Sequence, residues 1–316
     1  MRKIIINKFI ILFFKKLFFM TENTTHKSGF VNIIGNPNVG KSTLMNRLVG
    51  ERLSIITAKA QTTRHRIKGI VNGEDYQIVY SDLPGILTPA YKMQEQMMHF
   101  VNESLKDADL ILYVIECGET NYNQQIIEKL QSLTIPILLV INKTDKANDE
   151  TILATKSHWQ NLLPKADTIE ISALTGLHVN LLLEKIITFL PESPPFFPKD
   201  ELTDRPLRFF ISEIIREKIL LLYKKEIPYS VEVVIESFKE EEDLVRIGVM
   251  LYCERDSQKG IIIGNKGFAI KQLGIESRKA IEEYLEKHVF LDISVKVLKD
   301  WRNQDILMKQ FGYVQN

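Results

Sequence analysis

Eight residues, Gly35-Asn36-Pro37-Asn38-Val39-Gly40-Lys41-Ser42, have the types and spacing of a phosphate cradle. The glycines let the backbone curl so that N–H groups point inward at phosphate oxygens. The helix that must follow turns its N-terminus, with its favourable dipole, toward the same anion. Lys41 would reach the terminal phosphates, the Ser42 hydroxyl would ligate Mg²⁺, and Thr43 extends the cradle.

Such a cradle does not choose between ATP and GTP. Asn142-Lys143-Thr144-Asp145 does, because it ends an apolar strand. The Asp145 carboxylate can accept hydrogen bonds from the guanine N1–H and exocyclic amine. Adenine presents the wrong pattern and would leave polar groups unpaired. Ser172-Ala173-Leu174 ends the next strand and is similar to the backbone element that packs on the base in GTPases.

Asp82-Leu83-Pro84-Gly85 closes a further strand. Asp82 would hold Mg²⁺ through water, and the Gly85 N–H would sense the γ-phosphate. Between the two motifs lies Gln61-Thr62-Thr63-Arg64, whose Thr63 should close on the metal when GTP is bound. Lys41, Thr63 and Gly85 are thus the expected catalytic set. Ras-like enzymes place a glutamine after the glycine to orient the attacking water. Here Ile86 stands there and cannot do so, so slow intrinsic hydrolysis is expected. Asn38 resembles the asparagine of GTPases that use K⁺ as a charge clamp.

Positioning these groups takes alternating strands and helices. Strands are expected at 30–34, 76–81, 110–115, 136–141 and 168–171. Helices are expected at 41–49, 91–106, 123–133, 151–163 and 179–190. The alternation implies an α/β domain with a mostly parallel sheet covered on both faces. It should occupy residues 28–190. The segment PESPPFFPKDELTD (191–204) reads as a linker.

Residues 205–316 change in texture. A helix at 213–223 precedes strands at 230–235 and 244–253, around the acidic turn 239–243. Gly260 opens a run through Ile261-Ile262-Ile263-Gly264-Asn265-Lys266-Gly267, then a helix into Tyr284 and a third strand at 288–297. This order is the layout of a smaller α+β KH domain of type II. GxxG glycines let an RNA phosphate approach the peptide, Lys266 adds charge, and Ile261, Ile262 and Ile263 just before the turn are expected on the RNA-binding face with Asn265, Lys271 and Arg278. From Arg255 to Lys279 there are six basic residues, Lys271 and Arg278 among them, against two acidic. The chain is locally basic where RNA would lie.

The 316 residues suit two domains. With 41 basic and 40 acidic residues, global charge selects no partner. Cys117 and Cys253 allow neither a disulfide framework nor a zinc spacing, and fit a reducing compartment. Residues 1–20 are apolar and basic. They lack the long apolar run and cleavage site of a signal peptide. Lys8, Lys15 and Lys16 break any transmembrane span. An amphipathic membrane anchor and a translation start at Met20 stand as alternatives, with the start at Met20 favoured.

The segments 59–70, 212–219, 226–233, 261–279 and 311–314 closely resemble the Era family of bacterial ribosome-assembly GTPases. The similarity covers about residues 28–314. It implies GTP and GDP binding with Mg²⁺ and slow hydrolysis. It also implies binding near the 3′ end of 16S ribosomal RNA and a role in 30S subunit assembly. A cytoplasmic monomer is expected, with peripheral association to the cell membrane as reported for the family. The chain departs at Leu83, where the family usually has threonine, and in its first 20 or so residues.

Other classes fit less well. A GTP-dependent tRNA enzyme carries a catalytic cysteine near its C-terminus, and none lies in the last 60 residues. A transporter GTPase needs several membrane spans, and a translation factor needs more domains. A GTPase with another RNA client, or one acting at a membrane surface, stays as the alternative. The stretch Arg52–Lys68 carries Arg52, Lys59, Arg64, Arg66 and Lys68 with no acidic residue. It reads either as a solvated loop or as a surface touching RNA or the KH half in one nucleotide state.

Overall fold

The structure, a computed structural model, describes residues 26–314. The expectations for the N-terminal segment up to residue 25 lie outside them. The first half folds on a six-stranded sheet of order β2-β3-β1-β4-β5-β6. Its strands are β1 (Lys27–Ile34), β2 (Ile67–Asn72), β3 (Tyr76–Asp82), β4 (Leu110–Glu116), β5 (Ile137–Asn142) and β6 (Asp167–Glu170). All pair in parallel except β2, which is antiparallel to β3.

The central strands are unbroken apolar runs because helices cover both faces. On one face α1 (Lys41–Val49) and α5 (Val179–Phe189) bury Leu44 and Leu182 against Val31, Leu112 and Val140. On the other, α2 (Lys92–Ser104), α3 (Gln124–Ser132) and α4 (Asp149–Leu162) pack on Ile111, Tyr113 and Ile141. The strand order reverses between β3-β1 and β4. A crevice for a ligand opens at the carboxyl ends of strands at such a switch point.

The second half contains α6 (Leu207–Leu222), a helical turn α7 (Ile227–Ser230), β7 (Glu232–Glu240) and β8 (Leu244–Cys253). After these come α8 (Asp256–Ile263), α9 (Phe268–Leu285), β9 (His288–Val297) and α10 (Asp305–Gln310). Its sheet has the order β7-β8-β9, antiparallel then parallel. A parallel pair needs a crossover, which α8 and α9 supply.

Three elements differ from expectation. The helix expected from Glu213 starts earlier, at Leu207, directly after Pro206. The strand expected from Ser230 starts at Glu232, because Pro228 opens a helical turn instead. β2 is an edge strand not read from the sequence. Residues 191–204 do not hang free: they follow its open edge. Leu202 O accepts from Ile70 N (2.8 Å), Lys199 O accepts from Asn72 Nδ2 (3.0 Å), and Thr203 Oγ1 donates to Lys68 O (2.7 Å).

The halves meet over a large contact. Met93 and Met97 of α2 share an apolar cluster with Trp301, Met308 and Tyr313 near the C-terminus. Among the described residues no helix is long and apolar enough to cross a membrane.

Candidate nucleotide and RNA sites

The phosphate loop leaves β1 and enters α1 at the expected pole, beside a cavity of about 320 Å³. Pro37, Asn38, Gly40, Lys41, Ser42 and Thr43 line it. Val39 does not present its side chain there. It is buried in the core, so it can offer only backbone. The Asn36 side chain is turned away and donates to Glu119 Oε1 (2.7 Å). Lys41 is buried, and Nζ donates to Gly35 O (3.0 Å) and Asn36 O (2.8 Å), carbonyls of its own loop. Burial lowers its pKa to about 8, with Asp82 and Glu119 opposing.

Three oxygens converge beside Lys41. Ser42 Oγ donates to Asp82 Oδ2 (2.7 Å), Thr63 Oγ1 donates to the same atom (3.2 Å), and the two hydroxyls lie 3.0 Å apart. Burial raises the Asp82 pKa, against the Ser42 hydrogen bond and the Lys41 charge. Asp82 Oδ1 is buried with no partner among the described residues. An orphaned carboxylate oxygen beside two hydroxyls is a hard donor set of the kind Mg²⁺ takes. Ser42, Thr63 and Asp82 would hold it, and the ion would neutralise phosphate charge.

Gly85 reaches the same cavity from the end of β3. A Cβ there would lie 2.8 Å from Pro37 Cα, so only glycine lets the two loops meet. Leu83 and Ile86 are buried and face the core rather than the cavity, with Pro84 between them. Ile86 therefore supplies no polar group to a water.

The base-selecting elements are tied together by Asn142. Its Nδ2 donates to Val39 O (2.8 Å), and its Oδ1 accepts from Ala173 N (2.9 Å). Lys143 adopts a left-handed backbone and pairs with Glu116 at 2.5 Å. Asp145 sits exposed in a turn of 3-10 helix, Thr144–Lys146. Ser172 and Ala173 are buried, whereas Leu174 is exposed, its carbonyl accepting from Arg47 Nη2 (2.8 Å). The cavity also takes in residues 55–59. Only the apolar Ile55-Ile56 within the basic stretch hinted at that.

The basic stretch is not a solvated loop throughout: Arg52 is exposed, but the later part of the stretch is enclosed. Thr63, Arg64, His65 and Arg66 are all buried. Arg64 donates to Pro228 O (2.8 Å) and Val231 O (3.0 Å), and pairs with Glu232 (3.3 Å). Lys59 Nζ donates to Tyr223 O (2.6 Å), Arg52 pairs with Glu217 (2.5 Å), and Lys68 pairs with Asp204 (3.4 Å). Arg216 donates to the carbonyl of Thr62. Arg66 turns back into its own half, to Asp107 (2.5 Å), and Lys68 reaches only the joining segment.

In the second half, α8 ends at Gly264, and Asn265–Gly267 form a 3-10 turn into α9. Gly264 has φ +71°, and a Cβ on it would lie 2.6 Å from that of Ala269, so the turn needs glycine. Asn265, Lys266 and Lys271 are exposed, as is Ile261, and Ile263 is half-buried. Ile262 differs from expectation: its side chain is core, and its carbonyl accepts from Tyr223 Oη (2.8 Å). Arg278 lies about 15 Å further along α9 by helical rise, within 3.8 Å of Glu282.

A family model described as 50S ribosome-binding GTPase matches residues 30–143, and a KH domain model matches 226–302. GTPase Era of Geotalea daltonii is 45% identical over 297 residues, covering 93% of this chain and 100% of that one. GTPase Era of Staphylococcus epidermidis is 43% identical over 296 residues, covering 93% and 99%. A crystal structure of Era in complex with MgGDPNP and nucleotides 1506–1542 of 16S ribosomal RNA superposes with a TM-score of 0.86. It shares 37% identity, covering 92% of this chain and all of that one. An Aquifex aeolicus Era variant bound to GDP and AlF4⁻ superposes equally well, with the same TM-score, identity and coverage. Identity at this level along nearly the whole of both chains makes this chain a member of the Era family of GTPases.

Proposed function

We propose that the chain binds GTP and GDP with Mg²⁺ in the cavity at the phosphate loop and hydrolyses GTP slowly. In one nucleotide state it offers its GxxG face to the 3′ region of 16S ribosomal RNA, as a step in 30S assembly. The observation that carries this is the adjacency of Thr63 and Arg64. Thr63 shares the Asp82 carboxylate with Ser42, while Arg64 is buried in carbonyls of the second half. Movement of one cannot leave the other in place. A metal and γ-phosphate that draw in Thr63 therefore act on the docking of the KH half, which is the differential contact a switch requires. The solved Era complex supports the choice of RNA.

Asn38 supports the K⁺ reading. Its amide donates to Ala58 O (3.1 Å) across the cavity, where a monovalent clamp between phosphates and the switch segment would sit. Equal hydrolysis rates in sodium and potassium would remove it. This reading places the work in the cytoplasm, with peripheral association to the inner face of the cell membrane.

The test is binding of a 16S 3′-end oligonucleotide by the full chain, in GTP-analogue and GDP states, beside a Gly264→Asp/Gly267→Asp variant. Binding favoured by the GTP analogue and lost in the variant is expected. Binding unchanged by the variant would sink the RNA half of the proposal.

A further inference from the structure

A second cleft lies between the halves, outside the nucleotide site and away from the GxxG turn. Its volume is about 270 Å³. His65 lines it from the switch segment, and Arg205, Arg208, Glu213, Arg216 and Glu232 line it from the other side.

The cleft has more donors than its own acceptors satisfy. Arg216 is buried and holds Glu213 side-on, Nε to Oε1 at 2.7 Å and Nη2 to Oε2 at 2.5 Å, yet its Nη1 has no hydrogen-bond partner among the described residues. His65 is buried, and its Nδ1 is likewise unpartnered. Arg205 Nε makes no hydrogen bond, with the Asp204 carboxylate 3.9 Å away. Buried polar nitrogens are nearly always satisfied by protein, water or a ligand, and these three belong to side chains that line one cleft. Arg208, exposed, has no carboxylate partner among the described residues; its guanidinium lies 6.0 Å from the Phe238 ring centroid.

The charge has a consistent sign. Both carboxylates are engaged: Glu213 by Arg216, and Glu232 by Arg64 and the Tyr313 hydroxyl (2.8 Å). Burial raises the Glu232 pKa in spite of Arg64. His65 brings an imidazole nitrogen to the cleft rather than a carboxylate. Arginine forks match the oxygens of phosphate or sulfate in pairs, which water does not exploit. The volume lies just under the range of about 300–1,000 Å³ typical of small-molecule sites. It suits one phosphoryl group and not a whole nucleotide.

We propose that this interdomain cleft binds a phosphoryl oxyanion, held by Arg205, Arg208, Arg216 and His65. The anion is either free phosphate or one backbone phosphate of a bound RNA. Its position behind His65, two residues from Thr63, places a negative charge where the switch segment meets α6.

The experiment titrates inorganic phosphate into the full chain with Mg·GDP bound, at ionic strength fixed with chloride. GDP binding is measured first and separately, so its failure is distinguishable. A saturable rise in the unfolding midpoint is expected. Arg208→Gln should raise the half-saturating concentration about tenfold, the loss of one charge-assisted contact. Arg208→Lys, which keeps charge but not the fork, should fall between. Lys185→Gln, on α5 and paired with Asp167, should leave it unchanged. The midpoint without phosphate checks that each variant folds. Displacement of phosphate by the 3′-end oligonucleotide would assign the site to a backbone phosphate, and independent binding would assign it to the free anion. No rise beyond chloride, or the same saturation curve in Arg208→Gln, overturns the proposal.

Discussion

The imidazole of His65 stacks on the ring of Tyr313, centroids 4.4 Å apart, joining the switch segment to the last turn of the chain. His65 is buried, and burial lowers its pKa to about 3, well below the usual 6.5. Folding therefore excludes a proton that the unfolded chain would take up. Stability from this group is complete above pH 6.5 and is lost as pH falls from there toward 3, by at most about 1.4 kcal/mol per unit. His65→Phe keeps the stack and removes the proton site. Its unfolding midpoint should fall less steeply than wild type between pH 6.5 and 5, and an equal slope would assign the acid limb to other groups.

Arg64 is the deepest charge at the contact. Arg64→Met removes the donors to Pro228 and Val231 and leaves Glu232 with only the Tyr313 hydroxyl. Breaking one side of a buried pair costs about 3–5 kcal/mol. The expected outcome is a lower midpoint and, in small-angle scattering, a larger radius of gyration as the halves part. A variant as compact and stable as wild type would show that the apolar cluster of Met93, Met97 and Trp301 holds the halves alone.

Asp145 is the residue by which this fold would choose its base. Asp145→Asn exchanges an acceptor for a donor where guanine presents two donors. Loss of at least about 100-fold in GTP affinity is expected from the unpaired groups, with a gain for xanthine nucleotides, whose C2 oxygen accepts. Competition binding against ATP, GTP and XTP reads this directly. Unchanged GTP affinity would place base selection elsewhere.

Gly85→Ala would put a methyl group 2.8 Å from Pro37 Cα and 2.9 Å from its nitrogen. Those are backbone atoms and cannot swing aside. The loop after β3 must then withdraw from the phosphate loop. GTP-analogue affinity should drop about tenfold or more while GDP, which lacks the γ-phosphate, is held nearly as before. Equal loss for both would mean that the phosphate loop itself is distorted.

The parts legible in the sequence are those whose chemistry is local. The cradle at 35–42 is fixed by adjacent residues, and so are Asp82 through Gly85 and the turn at 264–267. The interdomain contact stood only as one of two readings of the stretch Arg52–Lys68, and its partners were not legible, for the opposite reason. Arg64 and Arg216 are spaced like any surface cations, and their partners Val231 and Thr62 lie 167 and 154 residues away. The edge strand β2 was hidden by Lys68 and Gly69, which break its apolar run. Its place just before the GxxG turn makes Ile262 look like part of the RNA face. The helical period of α8 sends it inward while Ile261 stays out.

The path of residues 191–204 along β2 bears on how this protein can be cut. Ile70 N, Asn72 Nδ2 and Lys68 O are satisfied by Leu202, Lys199 and Thr203. A fragment ending at residue 190 would bare that strand edge, a template for intermolecular pairing. A fragment ending at residue 204 would keep it sealed. The shorter piece should aggregate at concentrations the longer one tolerates. The segment that joins the halves is then also a solubility device of the first half.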